Sequence, residues 1–262
     1  VGEANKIGFE KIGHKVIVHD IKLDTDLKDV LDTEIVFVCV PTPSNENGSC
    51  NTDIVENVIH DLTSFSYKGI IAIRSTIEPG FTQRMLKKYK IKICFCPEFL
   101  HERKAIDDFI NNHKVCVVGT NDNEIYEKVK EAHGNLPENF VRLNPPEAEL
   151  VKYFNNVYAA LRITFANNMY EISKKLGCDY SKIKDTYALT GKTKNVYLDA
   201  NENTRGYAGM CLPKDTKALI HLVKKLGLDL DLIKSIEKDN NKFIKTVFQG
   251  MRKWTHTTLW HL

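Results

Sequence analysis

Short, almost wholly apolar runs separated by amphipathic stretches fill the first 144 residues, and that alternation constrains the fold more than any other feature. The runs at 35–40, 69–75, 91–96 and 114–118 are rich in Val, Ile and Phe and show little polar alternation. They read as strands covered on both faces. A further run, 15–19, ends at His19 and is followed by Asp20. Between the runs, residues 4–12, 53–64, 82–89 and 124–132 carry apolar side chains at helical spacing and read as crossover helices. The expected fold class is α/β: a Rossmann-like, doubly wound parallel sheet.

After Asn144-Pro145-Pro146 the alternation stops. A long helix is expected over 147–176, with further helices at 180–189, 213–226 and 230–248 and an irregular, Asn-rich segment at 192–209. The organisation is therefore a Rossmann-like domain over 1–144, an all-helical central domain over 145–248 built on one long helix, and a tail, 249–262, with no pattern. No internal repeat is present.

Composition narrows the function classes. A net charge of +3 on 262 residues, without basic residues interleaved with aromatics, argues against a nucleic-acid partner. The seven cysteines are scattered and lack a paired C-x-x-C, so neither a disulfide framework nor a metal site is expected, and the reducing cytoplasm is the natural compartment. No run is long and apolar enough for a membrane span, and the start has no signal-peptide core. The absence of an initial Met makes the chain read as a piece of a longer protein.

In an open α/β sheet, ligands lie outside the carboxyl ends of the strands. Val40 is followed there by Pro41-Thr42-Pro43, Arg74 by Ser75-Thr76, and Cys96 by Pro97-Glu98-Phe99-Leu100 with Glu102 beyond. At the start, Gly2, a helix, a strand and Asp20 fit the back half of a dinucleotide-binding unit: last glycine, helix, strand, and acid for ribose hydroxyls. An Asp ending a strand fits an ordinary turn as well. On the long helix Leu150, Phe154, Val157, Leu161 and Phe165 form one apolar face, with Lys152 and Asn156 one turn apart on the opposite side. That opposite side is itself mostly apolar, which points to a buried helix holding a Lys and an Asn for a purpose. Finally, Gly206-Tyr207-Ala208-Gly209-Met210-Cys211-Leu212-Pro213-Lys214-Asp215 presents one cysteine before a helix start, where amides favour a thiolate. Taken alone, a buried core cysteine is the simpler account of that loop.

With these motifs in one order, the chain resembles the UDP-glucose 6-dehydrogenase family of NAD-dependent nucleotide-sugar dehydrogenases, up to about Phe248. The resemblance implies oxidation of a sugar C6 alcohol to a carboxylate through a thiohemiacetal and a thioester. It assigns Cys211 as nucleophile, Lys152 and Asn156 as oxyanion donors, Asp215 with Thr76 to a water, and Glu98 to thioester hydrolysis. NAD is the implied cofactor, near Gly2, Asp20, Pro41, Thr42, Ser75, Thr76, Glu102 and Lys214. UDP-glucose is the implied substrate, near Glu98, Phe99, Leu100, Lys152, Asn156, Gly206, Tyr207 and Gly209. A homodimer through the long helix is implied as well.

The chain departs from the family pattern at Ala208, where a second glycine is usual, and at Cys96, where a polar residue commonly precedes the proline. The family's first strand and its third, nucleotide-holding domain are also not in the sequence. Three alternatives stay open: GDP-mannose as the substrate, an inactive fragment serving only as a dimerisation module, and a related β-hydroxyacid dehydrogenase that needs no cysteine.

Overall fold

The computed structural model describes residues 1–192 and 196–243, and the tail expected at 249–262 lies outside them. The chain divides into two compact units. The first comprises 1–45 and 50–152, and the second 46–49 with the residues from 153 onward.

The first unit is built on a five-stranded sheet: β1 (Ile35–Val38), β2 (Ile70–Ile73), β3 (Lys92–Phe95), β4 (Cys116–Gly119) and β5 (Phe140–Leu143), in that spatial order. Helices α1 (Gly2–Lys11), α2 (Asp53–Ser64), α3 (Phe81–Lys88), α4 (Ala105–Ile110) and α5 (Asn123–His133) accompany it. The continuous apolar runs become the buried strands, β2 and β4 being covered at every residue. Two cores result. Val55, Ile59, Leu62, Ile71, Ile73, Phe81 and Phe95 fill one face, and Ile70, Ala72, Cys94, Cys96, Cys116, Val118 and Val129 the other.

Two expectations are corrected here. The sheet is parallel across β1–β2–β3 and across β4–β5, but β3 and β4 run antiparallel and share a single residue pair, Phe95 with Gly119. Residues 15–19 form no strand: they pair with no neighbour, and Ile17 and Val18 are exposed. A strand requires a partner for its backbone groups, and β1 offers these residues none.

Close packing demands small residues at Gly8, where an added Cβ would come within 2.3 Å of the Phe109 ring, rather than at Gly2, where it would meet Cys39 at an ordinary 3.7 Å. Helix α3 starts at Gly80, which has no side chain for a cap. The fully buried Glu149 supplies one from a distance, accepting from the Gly80 N–H at 2.5 Å and the Thr82 N–H at 2.9 Å.

Helix α6 (Pro145–Lys175) runs through the division between the units. In the second unit it is joined by α7 (Tyr180–Ala188), α8 (Leu212–Lys225) and α9 (Asp231–Asn240). The helix expected over 230–248 is α9, and its expected end lies outside the described residues. The expected apolar face of α6 is split. Val157 is buried, whereas Leu150, Phe154 and Phe165 are exposed, and the inward side carries Tyr153, Asn156, Ala159, Ala160 and Ala166. The alanines allow close approach of neighbouring elements, and the polar members find partners there, so this side is the one that buries.

Candidate active site

In the first unit the carboxyl ends of β1, β2 and β3 are tied to one another. The Arg74 and Ser75 amides donate to the Val38 carbonyl. The Ser75 hydroxyl accepts from the Val40 N–H at 2.8 Å and donates to the Val40 carbonyl at 2.7 Å. Ser75 therefore fixes the loop that presents Pro41 and Thr42, of which Pro41 is exposed and Thr42 buried. Thr76 is half-buried, and its carbonyl accepts the Cys50 S–H. Asp20 closes a turn by accepting the Lys22 N–H at 2.9 Å. Gly2 and Glu102 are exposed, at the starts of α1 and of a short 3-10 turn, Glu102–Lys104.

Beyond β3, Glu98 meets Lys152, both nearly buried. The ammonium donates to the carboxylate at 3.0 Å and to the Glu98 carbonyl at 2.6 Å, while the other carboxylate oxygen accepts the Leu100 N–H at 2.7 Å. Burial pushes the Glu98 carboxyl up, but Lys152, the Leu100 amide and Arg74 together outweigh it and hold it below its ordinary value. Phe99 lies under the ammonium, its ring centre 5.8 Å away, and also packs into the core; Leu100 joins the cluster of Phe9 and Phe109.

In the second unit, Cys211 is exposed and stands as the N-cap of α8, with Pro213 in the first turn. One turn on, Asp215 is fully buried. One carboxylate oxygen accepts from the Asn156 amide and the other from the Lys214 ammonium, each at 2.5 Å. The Asn155 amide in turn donates to the Asn156 carbonyl oxygen at 2.9 Å, which fixes the orientation of Asn156. The loop leading to Cys211 is pinned from behind. Asn240 accepts the Tyr207 N–H at 2.8 Å and donates to the Tyr207 carbonyl at 3.0 Å, and Asn167 accepts the Gly206 N–H at 3.2 Å.

Gly206 and Gly209 both have positive φ, at 60° and 86°, where glycine is favoured. Ala208 is not among the positive-φ residues, so the alanine at this position carries no backbone strain. The Tyr207 side chain is buried with Val157, Ala160 and Ile236, and burial pushes its hydroxyl up to about 12.

The structure thus places Glu98 with Lys152 in one unit, and Asn156 with Asp215 and Lys214, one turn from Cys211, in the other. Sequence reading missed Asn240, Asn167 and Glu149, whose partners lie 33 to 69 residues away and leave no local spacing signal. A cleft of about 560 Å³ in the first unit is lined by His19, Asp24, Asp26, Asp29 and Asp61 and holds none of the expected site residues. Its carboxylates oppose an anionic ligand. Among the described residues no helix is long and apolar enough to cross a membrane.

An α/β sheet unit with hydroxyls and an ion-paired carboxylate beyond its strand ends, followed by a helical unit on one long helix, is the architecture of a Rossmann-type, two-domain dehydrogenase. Comparison with known proteins makes the assignment particular. Residues 8–136 match the NAD binding domain, and residues 146–242 the central domain, of the UDP-glucose/GDP-mannose dehydrogenase family. The chain belongs to that family of nucleotide-sugar dehydrogenases. It is 28% identical to the UDP-glucose 6-dehydrogenase of Rickettsia typhi over 89% of this chain and 59% of that protein. It is 29% identical to the GDP-mannose 6-dehydrogenase of Pseudomonas aeruginosa over 86% of this chain and 55% of that protein. A solved UDP-glucose dehydrogenase from the archaeon Pyrobaculum islandicum matches with a TM-score of 0.76 at 28% identity, over 84% of this chain and 53% of that one. The chain spans between half and three-fifths of the length of these relatives.

Proposed function

We propose that this chain carries the NAD-binding and thiol-bearing parts of an enzyme that oxidises UDP-glucose to UDP-glucuronate. The observation that supports it most is Cys211 at the start of α8, one turn from a fully buried Asp215 whose two oxygens are taken by Asn156 and Lys214. A buried carboxylate with that many donors is costly to build unless its position matters.

The residues of the first unit fit NAD. The first-turn amides of α1 carry no side-chain cap, Thr42 offers a hydroxyl, and one oxygen of Asp20 remains for ribose hydroxyls. Pro41, Ser75, Thr76 and Glu102 would frame the cofactor, and the resemblance adds Lys214 of the second unit to its contacts. When bound, NAD supplies the acceptor for hydride, twice per sugar. Cys211 adds through its sulfur to the C6 aldehyde carbon, and the new S–C bond keeps that carbon on the protein until water replaces sulfur and frees the acid. Lys152, with one N–H left after Glu98, and Asn156 donate to the oxygen on which negative charge develops. The family resemblance gives Asp215 and Thr76 the task of orienting a water. Glu98, held ionised by Lys152, is a weak base and acts chiefly by placing the ammonium and the attacking water. Phe99, Leu100, Gly206, Tyr207 and Gly209 shape the sugar site, Tyr207 through its backbone. Seven scattered cysteines, all free, fit a reducing compartment, and we assign the cytoplasm.

Titration with NAD and UDP-glucose tests the reading: two NADH should form per UDP-glucose, and Cys211→Ser should release no acid. Oxidation of GDP-mannose in preference would transfer the substrate assignment to that sugar. Failure to bind NAD at all would leave the chain as a relic that retains only its helical unit's self-association.

A further inference from the structure

Behind the three strand ends lies a group that the dehydrogenase chemistry does not use. Arg74 is 2% exposed, yet among the described residues no carboxylate bridges it. Its guanidinium rests on the rings of Phe37 and Phe109, 5.0 and 5.4 Å from their centres, and donates to His133 Nε2 at 2.5 Å, while its Nε finds no acceptor. His133 donates its other ring N–H to the Val129 carbonyl at 2.7 Å, so it is a neutral acceptor. Burial and Arg74 both hold it well below the usual histidine value. A buried guanidinium with no bridging carboxylate is expensive, Glu98 acting on it only as the weakest of the charges that favour it, and the site calls for a nearer anion.

The remaining neighbours are thiols. Cys96 and Cys116 are both fully buried, their sulfurs 3.8 Å apart, and each lies within 4.8 Å of the His133 ring nitrogen. The charge of Arg74 acts on Cys96 most strongly, then on Cys116, Cys39 and Glu98. An S–H donated by Cys116, with Arg74 assisting, draws the Cys96 thiol down against the opposing effect of burial, and Cys116 is pushed up correspondingly. Two thiolates and a histidine at this spacing would also suit a soft metal ion. However, Arg74 already occupies the histidine lone pair and brings a positive charge that repels a second cation.

We propose that Cys96 and Cys116 form a peroxide-oxidisable dithiol, with Arg74 as the counter-ion of the Cys96 thiolate. The Cys96 sulfur attacks one oxygen of hydrogen peroxide. An S–O bond forms, the O–O bond breaks, and hydroxide leaves to take up a proton as water. The Cys116 sulfur then attacks the sulfenic sulfur; an S–S bond forms, the S–O bond breaks, and hydroxide departs with the Cys116 proton as a second water. Two thiols are oxidised by two electrons and one peroxide is reduced. The sulfurs must close from 3.8 Å to about 2.05 Å. The junction that must yield is the β3–β4 contact, held by one residue pair. Cys96 directly precedes Pro97 and Glu98, so the bond pulls on the loop that carries the Glu98–Lys152 pair.

Complete burial makes the test selective. Iodoacetamide on the folded chain should label the exposed Cys178 and Cys211 and leave Cys96 and Cys116 untouched. Hydrogen peroxide, followed by denaturation, thiol blocking and peptide mass spectrometry, should reveal a Cys96–Cys116 crosslink that dithiothreitol reverses. In Cys116→Ser, a dimedone adduct should appear at Cys96. Arg74→Met should slow crosslinking by about threefold at neutral pH, since the smaller thiolate fraction is partly offset by the higher nucleophilicity of a less acidic thiol, and Arg74→Lys should restore most of the rate. Oxidation confined to Cys178 and Cys211, an equal crosslinking rate in Arg74→Met, or stoichiometric zinc on the purified chain would each overturn the proposal. None of these readouts depends on turnover, so they stand or fall separately from the dehydrogenase reading.

Discussion

Lys152 and Glu98 show how one pair of residues can serve the fold and the chemistry together. Removal of one member leaves the other nearly buried and unmatched, so Glu98→Ala should cost about 3–5 kcal/mol in urea unfolding. The pH dependence has a definite sign. The folded value of Glu98 lies below its ordinary 4.5, so the pair's contribution is complete above that value and is lost as the pH falls through the folded value. Glu98→Gln should therefore flatten the acid limb of the stability curve below about pH 4.5. An acid limb as steep as in the unaltered chain would show that the pair contributes nothing to acid stability. Lys152, Asn156 and Cys211 stood out in the sequence because their chemistry is unusual on an apolar helix and in a glycine loop, whereas Asp215 took its role only from the resemblance. Arg74 did not stand out, since it read as the end of a strand, and only the fold surrounds it with thiols.

At the level of elements, α9 ends on Asn240, which holds both backbone groups of Tyr207 and so fixes the loop entering α8. Asn240→Ala leaves two buried backbone groups without partners and should destabilise by about 2–3 kcal/mol, read as a lower urea midpoint. Asn240→Asp keeps an acceptor for the Tyr207 N–H but sets an oxygen against the Tyr207 carbonyl, so it should recover only part of that loss. Equal stability of the alanine variant and the parent would mean that the loop is held by other contacts. The strands β1 to β4 were legible because uninterrupted apolar runs have few alternatives. Residues 15–19 had the same composition and failed as a strand for want of a neighbour, which no single segment encodes. The strand β5, with Val141 and Arg142 exposed, and the six-residue α4 carry too little periodicity to be seen. The antiparallel β3–β4 junction depends on the path of the chain between them, not on either strand.

For the whole molecule, the outward side of α6 is the feature that a lone chain leaves unexplained. Phe154, Tyr158, Phe165 and Ile172, with Leu176 in the turn just past the helix, are 73%, 53%, 59%, 51% and 72% exposed. At 3.6 residues per turn they fall within a stripe about 40° wide, a narrow seam of the kind that two helices bury against each other. The charge beside it, Arg162, lies over the Tyr158 ring at 5.7 Å and flanks the stripe without interrupting it. A seam of one composition along its length is self-complementary, and a second copy of the same chain related by a two-fold axis would cover it without any new chemistry. We therefore expect a homodimer in sedimentation equilibrium. Phe154→Glu with Phe165→Glu should convert it to a monomer while far-ultraviolet circular dichroism stays unchanged, because neither side chain contributes to the chain's own core. A monomer in the unaltered chain at all concentrations, or a dimer that survives both glutamates, would assign this face to something other than self-association.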